Sequence, residues 1–362
     1  MDTLSQWQLI RIRFANHRLA VIGLHMLIVL YLIAALAEFI APYTRDFNDV
    51  DKIYCPPQVP KYTRKSGLHA KALTRQIDPI TFQNYYTAAD DVIPLGFFVK
   101  GIPYRLWGVI PCERHFFGVR TEAWEGEGKA PPVYFLGADK FGRDILSRIT
   151  YGARISLSIG LVSIIVTFTL GAAIGGISGY VGGKTDNFIQ RAIEVINSFP
   201  QLPLWMALAA IFPEDWSAMK TYFAITIVLS LLGWTGLARV VRGKLLALRE
   251  EDYAVAARLI GASHGRIIFR HLLPGMTSHI IVSLSLSVPG MILGETSLSF
   301  LGLGLRAPVV SWGVMLQDCL NMDAVANYPW LLMPVFFIIA TVLSFNFFGD
   351  GMRDAADPYS TK

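Results

Sequence analysis

The sequence is poor in charge and in cysteine. Aspartate, glutamate, lysine and arginine together make up 16% of the 362 residues, whereas a soluble domain usually carries about 25%. This shortage excludes an ordinary cytosolic enzyme. The three cysteines form neither a CxxC pair nor a cluster with histidine, so the sequence predicts no metal site and no disulfide framework.

Motifs for nucleotide and hydrolytic chemistry are also missing. Gly183-Lys184-Thr185 looks like the end of a phosphate-binding loop, but the first glycine of that motif is replaced by Ser178 and no strand precedes it. No HExxH sequence occurs, and no pair of carboxylates is placed for hydrolysis. The sequence therefore predicts no catalytic residues and no cofactor in this chain.

What the sequence does contain is long apolar blocks. Hydrophobic residues make up 53% of the chain and the mean hydropathy is +0.44. The blocks are long enough to cross a bilayer, which takes roughly 20 residues. We expect an all-α polytopic membrane protein with six transmembrane helices, the third made irregular by two prolines. The predicted helices cover residues 19–41, 155–180, 189–212, 222–241, 276–303 and 328–348.

The distribution of basic residues predicts the orientation of these helices. With residues 1–18 inside, the largest inner loop alone holds seven basic residues between Arg239 and Arg270, whereas the short outer loops hold only Lys220 and Arg306. Lysine and arginine accumulate on the cytoplasmic side of membrane proteins. Both ends of the chain, including residues 350–362, are therefore expected in the cytoplasm. This bias explains the net charge of +5 without any binding of nucleic acid.

The segment between the first two predicted helices, residues 42–154, has the composition of a soluble domain. It contains many prolines and aromatics and no apolar run of spanning length, so we expect an extracytoplasmic insert of mixed α/β or irregular structure. Its apolar patches at 93–98 and 115–118 are expected either in a core or on a docking surface. Cys55 and Cys112 lie in this external compartment, where they either form a disulfide or remain free thiols.

Three glycines recur every four residues in the second predicted helix, at Gly171, Gly175 and Gly179. Small residues at this spacing let two helix backbones approach each other closely. We expect this face to pack against another helix of the same chain. A dimer interface is the alternative.

The largest inner loop, residues 243–274, carries the most informative pattern. Acidic residues precede a run of helix formers, Gly261 follows where a helix would end, and a basic amphipathic segment leads back to the membrane. The pattern predicts a helix, a turn and a second helix. An interfacial helix lying on anionic membrane lipid is the alternative, because Arg258, Arg266 and Arg270 also suit such a surface.

Several motifs in the chain resemble those of a known family of transport proteins. Ala256-Ala257, Gly261 and Leu273-Pro274 are similar to the EAA loop of binding-protein-dependent ABC importer permeases. Four further stretches resemble the oligopeptide and dipeptide permeases of the OppC/DppC type, and they cover residues 136–144, 182–186, 294–302 and 350–358. The resemblance extends over nearly all of the chain outside the external insert.

The resemblance implies one half of an ATP-driven import channel in the bacterial cytoplasmic membrane, with a type I importer permease core at 155–349. The implied partners are a second permease of the OppB/DppB type, two ATP-binding subunits that hold ATP and Mg²⁺, and an extracytoplasmic solute-binding protein. A peptide is the expected solute, and oligosaccharides, opines, metal chelates and peptide antibiotics are alternatives. The residues expected to couple to the ATP-binding subunits are Ala256, Ala257, Arg258, Gly261, Ala262, Ser263, Arg266, Leu273 and Pro274.

Two interrupted helices predict where a solute would cross the membrane. Pro289 allows a local break in the fifth helix, and Ser198, Pro200 and Gln201 place polar groups and irregular backbone at membrane depth. Such backbone is tolerated only beside protein or a water-filled cavity. We therefore expect these residues to line the translocation path, and static packing of the prolines is the alternative.

Glu295 is the one acidic residue in the fifth predicted helix. It is a further candidate for the translocation path. The alternative is a buried carboxylate that is hydrogen-bonded to Thr296 or to a neighbouring helix. An ion-coupled secondary transporter that uses Glu295 as its ion site is the alternative function for the whole chain.

Overall fold

The computed structural model describes residues 6–126, 128–213 and 215–356. Helices dominate these residues, and five helical segments are long and apolar enough to cross a membrane. Those segments cover Arg18–Ala35, Ile145–Val181, Ala218–Leu248, His264–Phe300 and Pro329–Ala356. The expectations for the first five residues and for the tail beyond residue 356 lie outside the described residues.

The helices are numbered here in chain order. Helices α1 to α13 cover Gln6–Asn16, Arg18–Ala35, Ala37–Ile40, Ile145–Val181, Gly183–Ser198, Gln201–Ala209, Ala218–Leu248, Asp252–Leu259, His264–Arg266, Thr277–Phe300, Trp312–Met315, Met322–Asn327 and Met333–Ala356. A π-helical turn, Ile267–Leu272, and a short 3₁₀ turn connect α9 to α10. In the bundle, α4 packs against α7, α2 packs against α13, and α10 contacts α4, α7 and α13.

The predicted third transmembrane helix, residues 189–212, is not one helix. It is divided into α5 and α6 at Phe199 and Pro200. Phe199 has an extended backbone, with ψ of 136°, because the ring of a following proline disfavours the helical region for the residue before it. Neither piece is among the five segments that could cross a membrane by length and composition, so the prediction of six membrane-spanning helices is not confirmed.

Helix α4 begins at Ile145, earlier than the predicted second transmembrane helix. The first turns of α4 contain Arg148 and Arg154, and hydropathy alone excludes such charges from a membrane helix. Both charges are paired in the structure. Arg148 lies 3.5 Å from the carboxylate of Asp139, and Arg154 donates two hydrogen bonds of 2.7 Å to Glu38. Pairing removes much of the cost of placing a guanidinium at the membrane surface.

The external insert contains an antiparallel sheet of four strands in the order β1-β2-β3-β4. The strands cover Lys61–Thr63, Gly67–Ile77, Asn84–Leu106 and Ile110–Val119. Ile93 and Leu95 are buried in the core of this insert together with Ala70, whereas Phe97 and Phe98 in the same predicted patch are exposed.

Both ends of β3 reach the helix bundle. At its start, the backbone N–H of Asn84 donates to the hydroxyl of Tyr328 at 3.0 Å, and the ring of Tyr328 stacks on that of Tyr54 with centroids 4.1 Å apart. Beyond its end, the indole N–H of Trp107 donates to the carbonyl of Ala35 at 2.7 Å. The insert is therefore fixed to the external ends of the first and last membrane segments.

Cys55 and Cys112 are both free thiols in the structure. Cys55 is fully buried beside Tyr134, and this burial raises the pKa of its thiol to about 12. Cys112 lies on β4, opposite Tyr104 of β3. Of the two alternatives that the sequence left open, the structure contains the free thiols.

Candidate coupling surface and membrane path

The loop after α7 folds into α8, a glycine turn and α9. Gly261 has a φ of 82°, a left-handed conformation that glycine adopts without the clash that a Cβ would cause. The N–H groups of Gly261 and Ala262 donate to the carbonyls of Arg258 and Ala257, at 3.0 and 3.1 Å. This pair of bonds is typical of a helix that ends at a glycine, so the predicted helix and turn are present in this loop.

The second half of the loop returns to the membrane. Ser263 caps α9, because its hydroxyl accepts from the N–H of Arg266 at 3.4 Å. Arg266 itself is exposed, Leu273 is buried, and Pro274 is exposed again. A continuous helical path runs from α9 into the membrane segment that contains α10.

Helix α8 has an apolar face on each side. The inner side faces the helix bundle, and the outer side faces away from it. On the inner side, Ala257 is buried in a cluster with Leu245 of α7 and Ile280 of α10. On the outer side, Leu259 and Ile260 are 82% and 85% exposed. Two large apolar side chains next to each other on a helix end are an unfavourable surface in water and indicate a protein or membrane contact.

The predicted coupling residues therefore divide between the two faces. Ala256 and Gly261 are exposed and Ala262 is half-buried, whereas Ala257 is buried and packs within its own chain. Sequence reasoning missed Leu259 and Ile260. The sequence contained a signal for them. Two consecutive apolar residues before a helix-ending glycine point in different directions, so the face that the helix buries does not hold both.

Tyr180, near the end of α4, lies between this loop and the helix bundle. The guanidinium carbon of Arg258 lies 5.7 Å from the centroid of the Tyr180 ring, and the ring of His264 lies 5.3 Å from it. Arg258 also donates to the backbone carbonyl of Arg249 at 3.4 Å. Arg258 thus contacts α4 and the end of α7 instead of pointing freely into solvent.

An ion pair, called the Asp186–Arg242 bracket here, joins the end of α4, the start of α5 and the last turns of α7. Arg242 of α7 donates to Asp186 of α5 at 2.5 Å, and Ser178 of α4 donates to the same carboxylate at 2.5 Å. The Arg242 guanidinium holds the pKa of Asp186 below its usual value. Arg249 donates to the carbonyl of Gly179 at 3.2 Å, near the end of α4. These contacts fix the base of the coupling loop to three helices.

The repeated glycines of α4 face α7 of the same chain. A Cβ on Gly171 would lie 2.8 Å from the side chain of Leu237, and one on Gly175 would lie 2.4 Å from the carbonyl oxygen of Ala238. Gly179 continues the contact one turn further along. The close approach of the two helices therefore requires residues without side chains at these positions.

The predicted path residues differ in how far they are buried. Ser198, Pro200 and Gln201 are exposed where α5 gives way to α6, and the Ser198 hydroxyl donates to the carbonyl of Val195 at 2.7 Å. Pro289 is buried inside α10, which continues through it as a helix. Within this chain, the predicted residues of the two helices therefore do not form one common surface.

Glu295 is fully buried in α10. One carboxylate oxygen accepts hydrogen bonds of 2.8 Å from the hydroxyls of Ser299 and Ser311, and the other has no hydrogen-bond partner among the described residues. Thr296, the partner that the sequence suggested, does not make this bond. Ser311 precedes α11, so Glu295 connects α10 to the segment that follows it.

Five helical segments long and apolar enough to cross a membrane, with a short loop helix packed on two of them, are typical of a polytopic membrane protein. The chain belongs to the family of binding-protein-dependent transport system inner membrane components, whose model matches residues 171–361. The model for the N-terminal TM domain of oligopeptide transport permease C matches residues 5–57.

Curated relatives agree with this assignment. The oligopeptide transport system permease protein OppC of Haemophilus influenzae is 41% identical over 83% of this chain and 93% of its own length. The dipeptide transport system permease protein DppC of Bacillus subtilis is 40% identical over 64% of this chain and 71% of its own. A solved methionine ABC transporter chain is 16% identical, covers 58% of this chain and 96% of its own, and has a TM-score of 0.44, which is too low to carry an argument.

The resemblance that the motifs indicated is thus confirmed. The chain is a multi-pass membrane permease of an ABC importer, and importers of this family work with an ATPase and a binding protein. This result favours the ATP-driven importer over an ion-coupled transporter that uses Glu295.

Proposed function

We propose that this chain forms one half of the translocation channel of a peptide importer in a bacterial cytoplasmic membrane, with both chain termini in the cytoplasm. Its partners are a second permease of the OppB/DppB type, two ATP-binding subunits and an extracytoplasmic solute-binding protein that docks on the side of the insert. The observation that carries the proposal is the exposed apolar pair Leu259 and Ile260 at the end of α8.

The proposed mechanism uses the coupling loop as a rigid lever. Movement of an ATP-binding subunit displaces the outer face of α8, and the inner face passes this displacement to α7 and α10 through the cluster around Ala257. Tyr180 and the Asp186–Arg242 bracket pass it to α4 and α5. A loop that is packed on several helices moves them together, as a two-state transport cycle requires.

The chain itself is proposed to be non-catalytic, with ATP and Mg²⁺ held by the partner subunits. The absence of a phosphate-binding loop in the sequence supports this view. The purified chain alone should therefore hydrolyse no ATP above the background of a mock preparation. ATP hydrolysis by the purified chain above that background would overturn the proposal.

The coupling proposal is tested by placing charge on the exposed pair. Leu259→Asp combined with Ile260→Asp should abolish co-purification of coexpressed ATP-binding subunits, because burying two carboxylates at an apolar contact is costly. Val59 and Tyr62 of the insert, 70% and 76% exposed, provide a matched control pair for the same change. Normal co-purification and uptake by the Leu259/Ile260 variant would place the coupling surface elsewhere.

The solute is proposed to be a peptide because the relatives named above are oligopeptide and dipeptide permeases. Mass spectrometry of ligand retained by the purified solute-binding protein would identify the solute class. An oligosaccharide or opine in that site would overturn the peptide assignment and leave the transport class unchanged.

The path through the membrane is proposed to run beside the exposed break between α5 and α6, where Ser198, Pro200 and Gln201 face out of the chain. Glu295 is proposed to hold α10 in place through its serine contacts. Single cysteines at 196–204, in a cysteine-free full complex, should react with an impermeant thiol reagent in a nucleotide-dependent way and be protected by solute. Unchanged labelling along the whole segment would contradict this path.

A further inference from the structure

We propose that the tip of the β3–β4 hairpin is a lipid anchor that inserts into the membrane leaflet on the side of the insert. The tip is the segment 106–110, Leu106-Trp107-Gly108-Val109-Ile110. Trp107, Val109 and Ile110 are 58%, 76% and 47% exposed. Apolar side chains concentrated at an exposed turn indicate a contact that the chain alone does not provide.

The hairpin runs towards the membrane. Midway along the hairpin, the ring nitrogen Nδ1 of His115 lies 2.6 Å from the carbonyl oxygen of Ala41. At the tip, the indole of Trp107 bonds to the carbonyl of Ala35, the last residue of the first membrane segment. The hairpin therefore descends beside α3, and its tip lies at the depth where the first segment leaves the bilayer.

The tip continues an exposed apolar surface of the first membrane segment. Val29 and Leu32 of α2 are 54% and 53% exposed, and Ala35, one turn after Leu32, is exposed as well. Exposed apolar residues on a membrane-crossing helix face either hydrocarbon or a partner subunit. Trp107 contacts Ala35, so the apolar strip of the helix meets the hairpin at this point, beside the Arg154 guanidinium that donates to the same carbonyl at 3.2 Å.

Aromatic residues lie further along the hairpin from the tip, beyond the exposed ion pair of Lys100 and Glu113. The rings of Phe98 and Phe116 contact Phe39 of α3, with centroids 6.1 and 6.0 Å away, and both remain 56% and 41% exposed. Aromatic side chains concentrate where a protein crosses from hydrocarbon to water. The hairpin therefore has apolar residues at its tip and charged and aromatic residues above it, which is the order of a lipid leaflet from its interior to its headgroups.

The conformation of Trp107 supports the same assignment. Its φ is 53°, in the left-handed region that bulky residues rarely adopt. The turn nevertheless holds a tryptophan whose polar N–H is paired and whose ring stays exposed. A tryptophan with a satisfied N–H and an exposed apolar body suits a membrane interface.

The anchor is tested by fluorescence at the tip. Val109→Cys, on a full chain with Cys55→Ala, Cys112→Ser and Cys319→Ser, is labelled with an environment-sensitive dye and reconstituted with its coexpressed partner subunits into phosphatidylcholine/phosphatidylglycerol vesicles. The matched control is Lys65→Cys, in the exposed β1–β2 turn. Nitroxide lipids labelled near the headgroup or deep in the acyl chain serve as quenchers, and iodide probes exposure to water.

We expect blue-shifted emission from the label at 109, strong quenching by the shallow nitroxide and weaker quenching by the deep one. The label at 65 should be quenched by iodide and by neither lipid. Iodide quenching at 109 equal to that at 65, without lipid quenching, would overturn the anchor. Protection from both iodide and lipid would also overturn it and would assign the tip to a contact with another subunit. None of these outcomes depends on whether the complex transports peptides.

Discussion

The two ends of α4 are held in different ways. At the external end, Asp139 accepts a 2.7 Å hydrogen bond from Arg143 and lies 3.5 Å from Arg148, and the insert covers this cluster. At the other end, the Asp186–Arg242 bracket lies beside a loop whose apolar tip is uncovered. The chain itself covers the external end, whereas the apolar tip of the loop is left uncovered by this chain. Changes at the first should therefore alter stability, and changes at the second should alter assembly and coupling.

The largest effect is expected where the two ends are joined, along the contact between α4 and α7. A leucine at Gly175 would force a side chain against the backbone of Ala238, and overpacking of this kind costs roughly 1–3 kcal/mol or more. Gly175→Leu should leave little monodisperse protein after detergent extraction. Gly236→Leu, at a glycine of α7 with open space around it, is the control and should be extracted normally. Equal yields would mean that the close contact does not hold the bundle together.

The next effect separates coupling from stability. Gly261→Ala introduces a Cβ at a φ of 82° with nothing within 4 Å of it, so the cost of about 1–2 kcal/mol is confined to the turn. Uptake per ATP hydrolysed should fall while the thermal unfolding midpoint of the complex stays constant. Gly265→Ala, in open space without a positive φ, should preserve both quantities. A lower midpoint with normal coupling would assign the turn to the stability of the bundle.

A smaller effect is expected from the bracket. Asp186→Asn removes a charged acceptor, and hydrogen bonds to charged groups contribute roughly 1.5–3 kcal/mol. Because the pKa of Asp186 is lowered, its contribution is present above the ordinary carboxyl pKa and is lost as the pH falls through the folded-state value. The variant should unfold at a lower temperature near neutral pH and respond less to acid. Glu194→Gln, which affects an exposed pair on the same helix, should change neither result.

The smallest effect concerns the external end. Burial raises the pKa of Asp144, the cap of α4, to about 7. A carboxyl with a raised folded-state pKa stabilises the protein most at low pH, and this contribution declines as the pH rises from about 4 towards 7. Asp144→Asn should flatten the unfolding temperature over this window, because the amide keeps the capping geometry and does not titrate. An unchanged slope would show that other groups cause it.

Hydropathy predicted six membrane segments and the position of the insert, and five of the six agree with the structure, because burial in lipid imposes long charge-free runs. It placed the start of α4 too late, because a hydropathy sum counts each arginine as a full charge and does not include pairing such as that of Arg154 with Glu38. It also joined α5 to α6, because the effect of Pro200 on Phe199 is a local backbone restriction. The buried, hydrogen-bonded state of Glu295 agrees with one sequence alternative, but Thr296 was the wrong partner, because Ser311 is brought near only by the turn after α10.

The residue pattern of 243–274 predicted a helix, a turn and a second helix in this loop, but not which of its apolar side chains are exposed. Leu259 and Ile260 were missed because their exposure depends on which face of α8 meets α7 and α10. In the insert, the strands followed no single pattern, since apolar positions such as Phe97 and Phe98 are exposed beside buried ones.

A single strand, β3, connects Tyr328 before the last membrane segment to Ala35 at the end of the first, through a hydrogen bond at each end. A strand is nearly inextensible, so these two points on the membrane surface have a fixed separation. Its pairing is irregular between Lys71 and Leu73 of its neighbour and between its own Lys100 and Tyr104, where the strand is able to bend. A transport cycle that separates the two helices must therefore bend the sheet at these irregular positions or break the hydrogen bond at one end of β3. The strand thus limits how far the two helices move apart.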